Sequence, residues 1–453
     1  MLKSKIFSVI IFFSYSPTLL LAQRYVIQST ALHTEIQTRA NQEYPALEPL
    51  YKHLHANPEL SFHEEKTSER IAQELEKAGF AVTRGIGGFG VVGVLKNGNG
   101  PTVLVRTDLD ALPVAENTGL AYASRVLVKD DQGNEVGVMH ACGHDIHMAS
   151  FIGTARLLSQ LQSQWRGTLV FIGQPAEERG GGAKAMLADG LFTKLPKPDF
   201  CVAWHVAADL PAGAIGFCEG YALANVSSVD LTIRGVGGHG AYPHTTKDPV
   251  MIAAQTVMAL QTIVSREIKP IEAAVVTVGS IHGGTKHNII PDEVHLQLTV
   301  RSYSDAVHEQ TLRAIERISR GIALSAGVPE DRLPIMKVGD EFTPSTYNDP
   351  ALVKRMAKSM RGILGDDKVV LKEAVMGGED FSRYGRTEEK IPIAMFWLGA
   401  IAEERVQQSL RNGEPLPSLH SNLFAPLPEP TIKTGVTAMT AAVLDLLAGK
   451  KGL

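Results

Sequence analysis

The hydrophobic pattern of this chain changes period twice, and those changes narrow the folds open to it. From residue 91 to residue 204 the apolar runs are short and nearly unbroken: Val91 to Leu95, Thr102 to Arg106, Thr168 to Gly173 and Phe200 to Trp204. Segments with helical spacing separate them. In Met148 to Leu161, Phe151, Ile152, Ala155 and Leu158 fall on one side, the 3.6-residue signature of a covering helix. Pro45 to Ala56 and His63 to Ala78 read as two earlier helices, the second stopped by Gly79. Strands apolar on both faces, alternating with helices, call for a sheet covered on both sides, hence an α/β domain.

Near residue 221 the period becomes two. Val229, Leu231 and Ile233 alternate with Asp230, Thr232 and Arg234, and Val294, Leu296, Leu298 and Val300 alternate with His295, Gln297, Thr299 and Arg301. Such strands have one solvated face, as in an antiparallel sheet. With the helical stretches Pro249 to Val264 and Asp305 to Ala326 they make a smaller α+β unit, of the size of an inserted domain. Beyond about residue 330 the first texture returns, with strands Val369 to Lys372 and Pro392 to Leu398 and the helix Thr431 to Leu447. The simplest account is one domain in two parts, 23–220 and 331–453, interrupted by another at 221–330.

At 453 residues the chain exceeds what one compact core usually holds. Its 44% hydrophobic and 20% charged content is that of an ordinary globular protein. A formal net charge of -4, with no basic stripe along a helix, argues against a nucleic-acid partner. Cys142, Cys201 and Cys218 are too few for a disulfide framework; Cys201 and Cys218 are left to form one bridge or to stay as buried thiols. At the N-terminus, Lys3 and Lys5 precede an apolar run from Ile6 to Ala22, followed by polar Gln23 and Arg24. This is the layout of a secretory signal peptide over residues 1–22. Ser14, Ser16 and Pro17 break the run too much for a membrane span. The expectation is an exported protein, periplasmic or secreted, with no membrane span after processing.

The chemistry concentrates in Met139-His140-Ala141-Cys142-Gly143-His144-Asp145-Ile146-His147. A thiol, three imidazoles and a carboxylate this close offer the ligands that Zn²⁺ and its neighbouring divalent metals prefer. A second cluster, Gln174-Pro175-Ala176-Glu177-Glu178, follows the next strand. Asp108 and Asp110 follow the strand ending at Arg106, and His205 follows the one ending at Trp204. Open α/β sheets collect ligands at such strand ends, where the loops converge. The donor set suits a metal site better than a Ser-His-Asp triad, and neither a Gly-x-Ser-x-Gly elbow nor a phosphate-binding glycine loop is present.

Four motifs, Arg106 to Pro113, Met139 to Asp145, Gln174 to Glu178 and Met376 to Phe381, resemble those of the hippurate hydrolase and N-acyl-amino-acid amidohydrolase family. These carboxypeptidase-like metal amidohydrolases are related to aminoacylase and the auxin-conjugate hydrolases. The resemblance runs from about residue 45 to the C-terminus. It implies a zinc-peptidase-like catalytic domain, a mixed sheet between helices, interrupted by a lid that often dimerises. It further implies two divalent metal ions per subunit (Zn, Mn, Co or Ni), held by Cys142, His144, Glu178, His205 and His420. Glu177 would then be the general base and Asp110 would orient a ligand imidazole. Asp108 would do the same or cap its loop, with His140, Asp145 and His147 as further candidates around the ligands. His239, in Gly237-Gly238-His239-Gly240, matches a lid histidine that steadies the oxyanion, in some relatives from the partner subunit. Asn288 matches a lid residue that meets substrate, and His244 reads as structural.

The implied reaction is hydrolysis of a small N-acyl or N-aroyl amino acid by an activated water, in a homodimer or larger homo-oligomer. A dipeptidase or carboxypeptidase, a deacetylase, and an inactive metal-binding relative are the alternatives. Two segments depart from the family pattern. Arg125 to Val138, turning at Asp130-Asp131-Gln132-Gly133-Asn134, is longer than the usual link to the metal loop. Ile401 to Ser418 reads as an insertion beside His420.

Overall fold

The computed structural model describes residues 17–448. The expected export signal lies mostly outside the described residues, its last part from Pro17 onward opening the first helix. Among the described residues no helix is long and apolar enough to cross a membrane.

An eight-stranded mixed sheet forms the centre. In spatial order its strands are Ala81–Ile86, Gly90–Asn97, Gly167–Gln174, Thr102–Asp108, Phe200–Pro211, Ile393–Ile401, Ile215–Phe217 and Val369–Leu371. The middle four run parallel. Their side chains alternate between two cores. Val103, Val105, Leu169, Phe171, Val202 and Phe396 face one core, with the helices His144–Gln160 and Pro428–Leu447. Leu104, Val170, Ile172, Ala203 and Met395 face the other. Successive strand residues point to opposite faces, so the unbroken apolar runs mean burial on both.

The smaller sheet is antiparallel, in the order Ala274–Gly283, Glu293–Ser302, Asn225–Arg234, Ile335–Val338. Its inner face carries Val229, Leu231, Ile233, Leu296, Leu298 and Val300, packed with the helices Pro249–Thr262 and Asp305–Ser325. The period-2 residues are thus the buried ones.

Several elements differ from the sequence-based expectation. The first helix does not begin at Pro45 but runs from Pro17 to Ala56 with Pro45 and Pro49 inside it. Ile36, Ala40, Tyr44, Leu47, Leu50, Tyr51 and Leu54 are all buried, so packing of one stripe outweighs the helix-breaking tendency of proline. The strand read as Phe200 to Trp204 continues to Pro211, which places His205 within it. The helix read from Met148 begins at His144. All three cysteines are free, Cys201 buried and Cys218 half-buried.

Candidate metal centre

The Thr102–Asp108 strand lies between Gly167–Gln174 and Phe200–Pro211. The chain leaves it for one neighbour and then crosses to the other, which makes a topological switch point with a crevice beyond the strand ends. Asp108, Asp110, Glu177 and Glu178 come from those ends.

Gly143 shapes the thiol–imidazole pair. Its φ of 76° is left-handed, and it caps the His144–Gln160 helix. A Cβ there would sit 2.6 Å from Val206 Cγ2. Only glycine combines that turn with that close approach. Cys142 Sγ consequently lies 3.4 Å from His205 Nε2.

Each imidazole is held by its other nitrogen. His144 Nδ1 donates to the Asp110 carbonyl at 2.8 Å, and His205 Nδ1 donates to the Val206 carbonyl at 2.8 Å. Both Nε2 atoms are thereby left as acceptors aimed into the crevice, the arrangement metal-binding histidines use. Asp110 also accepts from Ser61 Oγ at 2.6 Å and from the Glu178 amide at 2.9 Å, which fixes Glu178. Asp108 Oδ1 accepts from His147 Nδ1 at 2.7 Å, and His147 Nε2 accepts from the Val206 amide at 2.8 Å. Asp108 and His147 therefore brace the strand beside His205. His420, at φ 67°, is tied by its amide to the Ala141 carbonyl at 2.9 Å. Its Nε2 lies 3.5 Å from Glu178 Oε2.

His144 and Glu178 offer atoms within 4.8 Å of Glu177, and two further sets of ligand atoms result, Cys142 with His144 and His205, and Cys142 with Glu178 and His420, each within 4.8 Å of one another. The latter two share the thiol. His144 Nε2 and Glu178 Oε1 are buried with no hydrogen-bond partner. Buried polar atoms rarely stay unpaired, and a cation of the class these donors prefer satisfies them at once. The residues fit a pair of divalent metal ions. Asp108 also lies near His144 and His147, but Arg106 and His147 already occupy its oxygens.

Glu177 is buried beside this group, with Glu379 and Asp380 near its carboxylate. Burial first, then Glu379 and Glu178, push its carboxyl well above the usual range. The crevice opens as a cleft of about 480 Å³ lined by Cys142, Glu177, Glu178, His205 and His420. Arg301 reaches it from the small sheet.

The remaining candidates fall elsewhere. Asp145 pairs with His55 at 2.6 Å, and both ring nitrogens of His140 are buried without partners. His239 is exposed on a two-stranded ribbon, Gly238–His239 paired with Ile289–Ile290, and its Nδ1 accepts from the Ala241 amide at 3.0 Å. Among the described residues neither His239 nor Asn288 lines the cleft; they neighbour each other on the ribbon, where the Gly240 amide donates to the Asn288 carbonyl. His244 is exposed in a short helical turn.

Sequence reasoning missed the buried frame behind Glu177. Arg106 donates to Asp108 at 2.7 Å, to Glu379 at 2.9 Å and to Gln174 at 3.0 Å. Gln174 also donates to Asp380 at 2.6 Å. The available signal was an arginine closing an otherwise apolar strand.

Comparison with known proteins agrees with this geometry. A model described as Peptidase family M20/M25/M40 matches residues 104–409. Thermostable carboxypeptidase 1 of Saccharolobus solfataricus is 36% identical over 356 residues, 78% of this chain and 85% of that protein. N-acetylcysteine deacetylase of Bacillus subtilis is 35% identical over 353 residues, 78% of this chain and 87% of its own length. The crystal structure of a Bacillus subtilis dinuclear metal-binding peptidase of the M20 family superposes with a TM-score of 0.72 at 31% identity. It covers 92% of this chain and 99% of that one. Fold and site together define a metal-dependent hydrolase of amide bonds. The chain belongs to peptidase family M20/M25/M40.

Proposed function

We propose that this protein hydrolyses the amide bond of N-acyl or N-aroyl amino acids. The observation that carries the reading is the pair of ligand sets sharing Cys142, with the carboxylate of Glu177 beside them but outside both. Cys142, His144, Glu178, His205 and His420 would hold two metal ions, drawn from Zn, Mn, Co or Ni. Such ions polarise the scissile carbonyl and bring the pKa of water down to about 7. Glu177 takes the proton of the attacking water and returns one to the leaving amine. The Asp110 and Val206 carbonyls keep the His144 and His205 imidazoles in their tautomers throughout, and the Asp108–His147 pair braces the Val206 backbone. Arg301, the cation facing the cleft from the small sheet, is placed to receive the α-carboxylate of the amino acid.

The small sheet supports a homodimer. Its Ala274–Gly283 strand is an edge, and the Pro249–Thr262 helix leaves Met251 and Met258 57% and 73% exposed. Apolar exposure beside an open edge is what a second copy covers. In that assembly His239 acts on the partner's cleft, where it steadies the oxyanion. The basic-then-apolar N-terminus supports export, with the mature chain starting near Gln23; N-terminal sequencing of the exported fraction tests this.

The carboxypeptidase relative favours a second reading, cleavage of peptides by the same groups. Metal-loaded protein assayed on N-acetyl and N-benzoyl amino acids and on dipeptides decides between them. Turnover of the N-acyl compounds is expected, and cleavage of dipeptides alone overturns the amidohydrolase reading.

A further inference from the structure

The segment Arg125 to Val138 forms a two-stranded hairpin, Leu127–Lys129 with Glu135–Gly137, outside the eight-stranded sheet. Its turn is internally fixed. Asp130 Oδ1 accepts from the Gln132 amide at 2.9 Å and the Asn134 amide at 2.8 Å, and the Asp130 amide donates to the Asn134 carbonyl at 2.9 Å. A turn so closed presents its tip as a preformed surface.

That tip reaches the residue next to Glu178. Asp131 Oδ2 accepts from Arg179 Nη1 at 2.7 Å, and Arg179 directly follows Glu178 in the chain. The same guanidinium donates to Glu341 at 3.3 Å and lies 5.5 Å from the centroid of the Phe62 ring. Beneath the tip is a hollow of about 380 Å³, floored by Leu60, Ala111, Leu112 and Pro113 and walled by Asp131 and Gln132. Glu178 and Arg179 border both this hollow and the main cleft, which sets the hollow beside one of the candidate metal ligands.

We infer that this hollow is the acyl subsite, and that the hairpin makes the enzyme selective for neutral, apolar acyl groups larger than acetyl. The inference rests on the amidohydrolase reading above. Its volume lies in the range of small-molecule pockets, about 300–1,000 Å³. The apolar floor suits a phenyl ring or an alkyl chain, which gains by leaving water. Asp130, Asp131 and Glu178 border it with negative charge, and the two basic side chains there are already engaged, His63 by Asp131 at 3.6 Å and Arg179 by Asp131 and Glu341. A carboxylated acyl group would meet acidic side chains there with no unengaged guanidinium to receive it. The main cleft, with Arg301, is left for the amino-acid end. The ion pairs at the tip are exposed, and such pairs hold weakly, so the hairpin can lift to admit substrate and settle over it.

The test compares kcat/KM for the N-acetyl, N-benzoyl and N-succinyl derivatives of one amino acid, using metal-loaded wild type, Leu112→Trp and Gln132→Lys. Wild type should prefer benzoyl to acetyl by about 10-fold or more, the scale of a hydrophobic pocket's discrimination, and should handle succinyl worst. Leu112→Trp, which fills the floor, should lower benzoyl turnover roughly 10-fold more than acetyl turnover. Gln132→Lys, on an exposed turn that needs no repacking, should raise succinyl turnover about 5-fold relative to acetyl turnover. Should Leu112→Trp lose all activity, Gln132→Lys alone decides, and an unchanged ratio of succinyl to acetyl turnover overturns the subsite. Equal loss of benzoyl and acetyl in Leu112→Trp also overturns it. If wild type cleaves none of the three, the amidohydrolase reading itself fails; if all three proteins share one preference, only the subsite does.

Discussion

The guanidinium of Arg106 and the carboxylate of Glu379 meet at 2.9 Å, fully buried, and join the end of a central strand to a loop that comes late in the chain. Asp108 and Asp380 flank the same guanidinium at 2.7 and 3.3 Å. One cation thus holds three carboxylates in the wall against which Glu177 rests. Arg106→Met should destabilise the fold by about 3–5 kcal/mol, because removing one partner leaves buried charge uncompensated. Urea unfolding of the metal-loaded protein measures it. A loss under about 1 kcal/mol would show the carboxylates relaxing without their cation.

Glu177→Gln should keep the fold and both metals, since Glu177 belongs to neither set of ligand atoms around Cys142. Turnover should fall by about 10²–10⁴-fold, the usual worth of a positioned general base. Metal content by mass spectrometry and steady-state rates check both halves. Near-normal turnover in a fully loaded variant removes Glu177 from the mechanism.

His239→Ala should lower kcat by about 10²–10³-fold with little change in KM, as expected for a donor that acts in the transition state. Because His239 does not line the cleft of its own chain, mixing this variant with Glu177→Gln should restore part of the activity through hybrid dimers. No rescue on mixing would place the histidine's action within one chain. A wild-type kcat for the single variant would make the Gly-His-Gly turn purely structural.

His55 carries a pH dependence of stability. Its ring lies between Asp145 at 2.6 Å and Glu116 at 3.1 Å. Burial opposes its charge, but the two carboxylates prevail and raise its pKa from 6.5 to about 10. The folded protein therefore keeps a proton that the unfolded chain releases. The resulting stability is complete below about pH 6.5 and is lost as pH climbs towards 10. It amounts to at most about 5 kcal/mol. Urea midpoints at pH 6.5 and 9.5 should differ in wild type, and the difference should shrink in His55→Gln. Identical pH profiles for the two proteins would refute the assignment.

Chelation should abolish turnover and lower Tm, because the ligands bind metal in the folded chain only, and linkage then converts affinity into stability. Dialysis against Zn, Mn, Co or Ni, read by calorimetry and assay together, tests this. An unchanged Tm after verified metal loss would mean that the ligand cluster contributes nothing to holding the fold.

The candidate ligands Cys142, His144 and Glu178 stood out because their spacing is local, whereas His205 and His420 entered as ligands through the family resemblance. Cys142, Gly143 and His144 lie side by side, and the Glu177–Glu178 pair follows a strand whose apolar run marks it. The two sheets were legible for the same reason, since burial on one face or two writes itself as period two or as an unbroken run. What was misread depended on distant partners. Pro45 and Pro49 suggested a helix start, yet the buried stripe from Ile36 to Leu54 carries one helix through both. The apolar period starts the next helix at Met148, although Gly143 makes His144 its first residue.

Sequence by itself determined which candidate ligands lie side by side along the chain and which faces of its strands are apolar. Tertiary structure alone decided which of them meet. His420 reaches Glu178, Arg106 finds Glu379, and the Asp131 hairpin tip locks onto Arg179, while His239 stays outside its own cleft. The physical reason is one of range. Backbone dihedrals and hydrophobic period are set by near neighbours, whereas contacts between residues far apart exist only once the packed sheets have met the entropy of closing the loops between them.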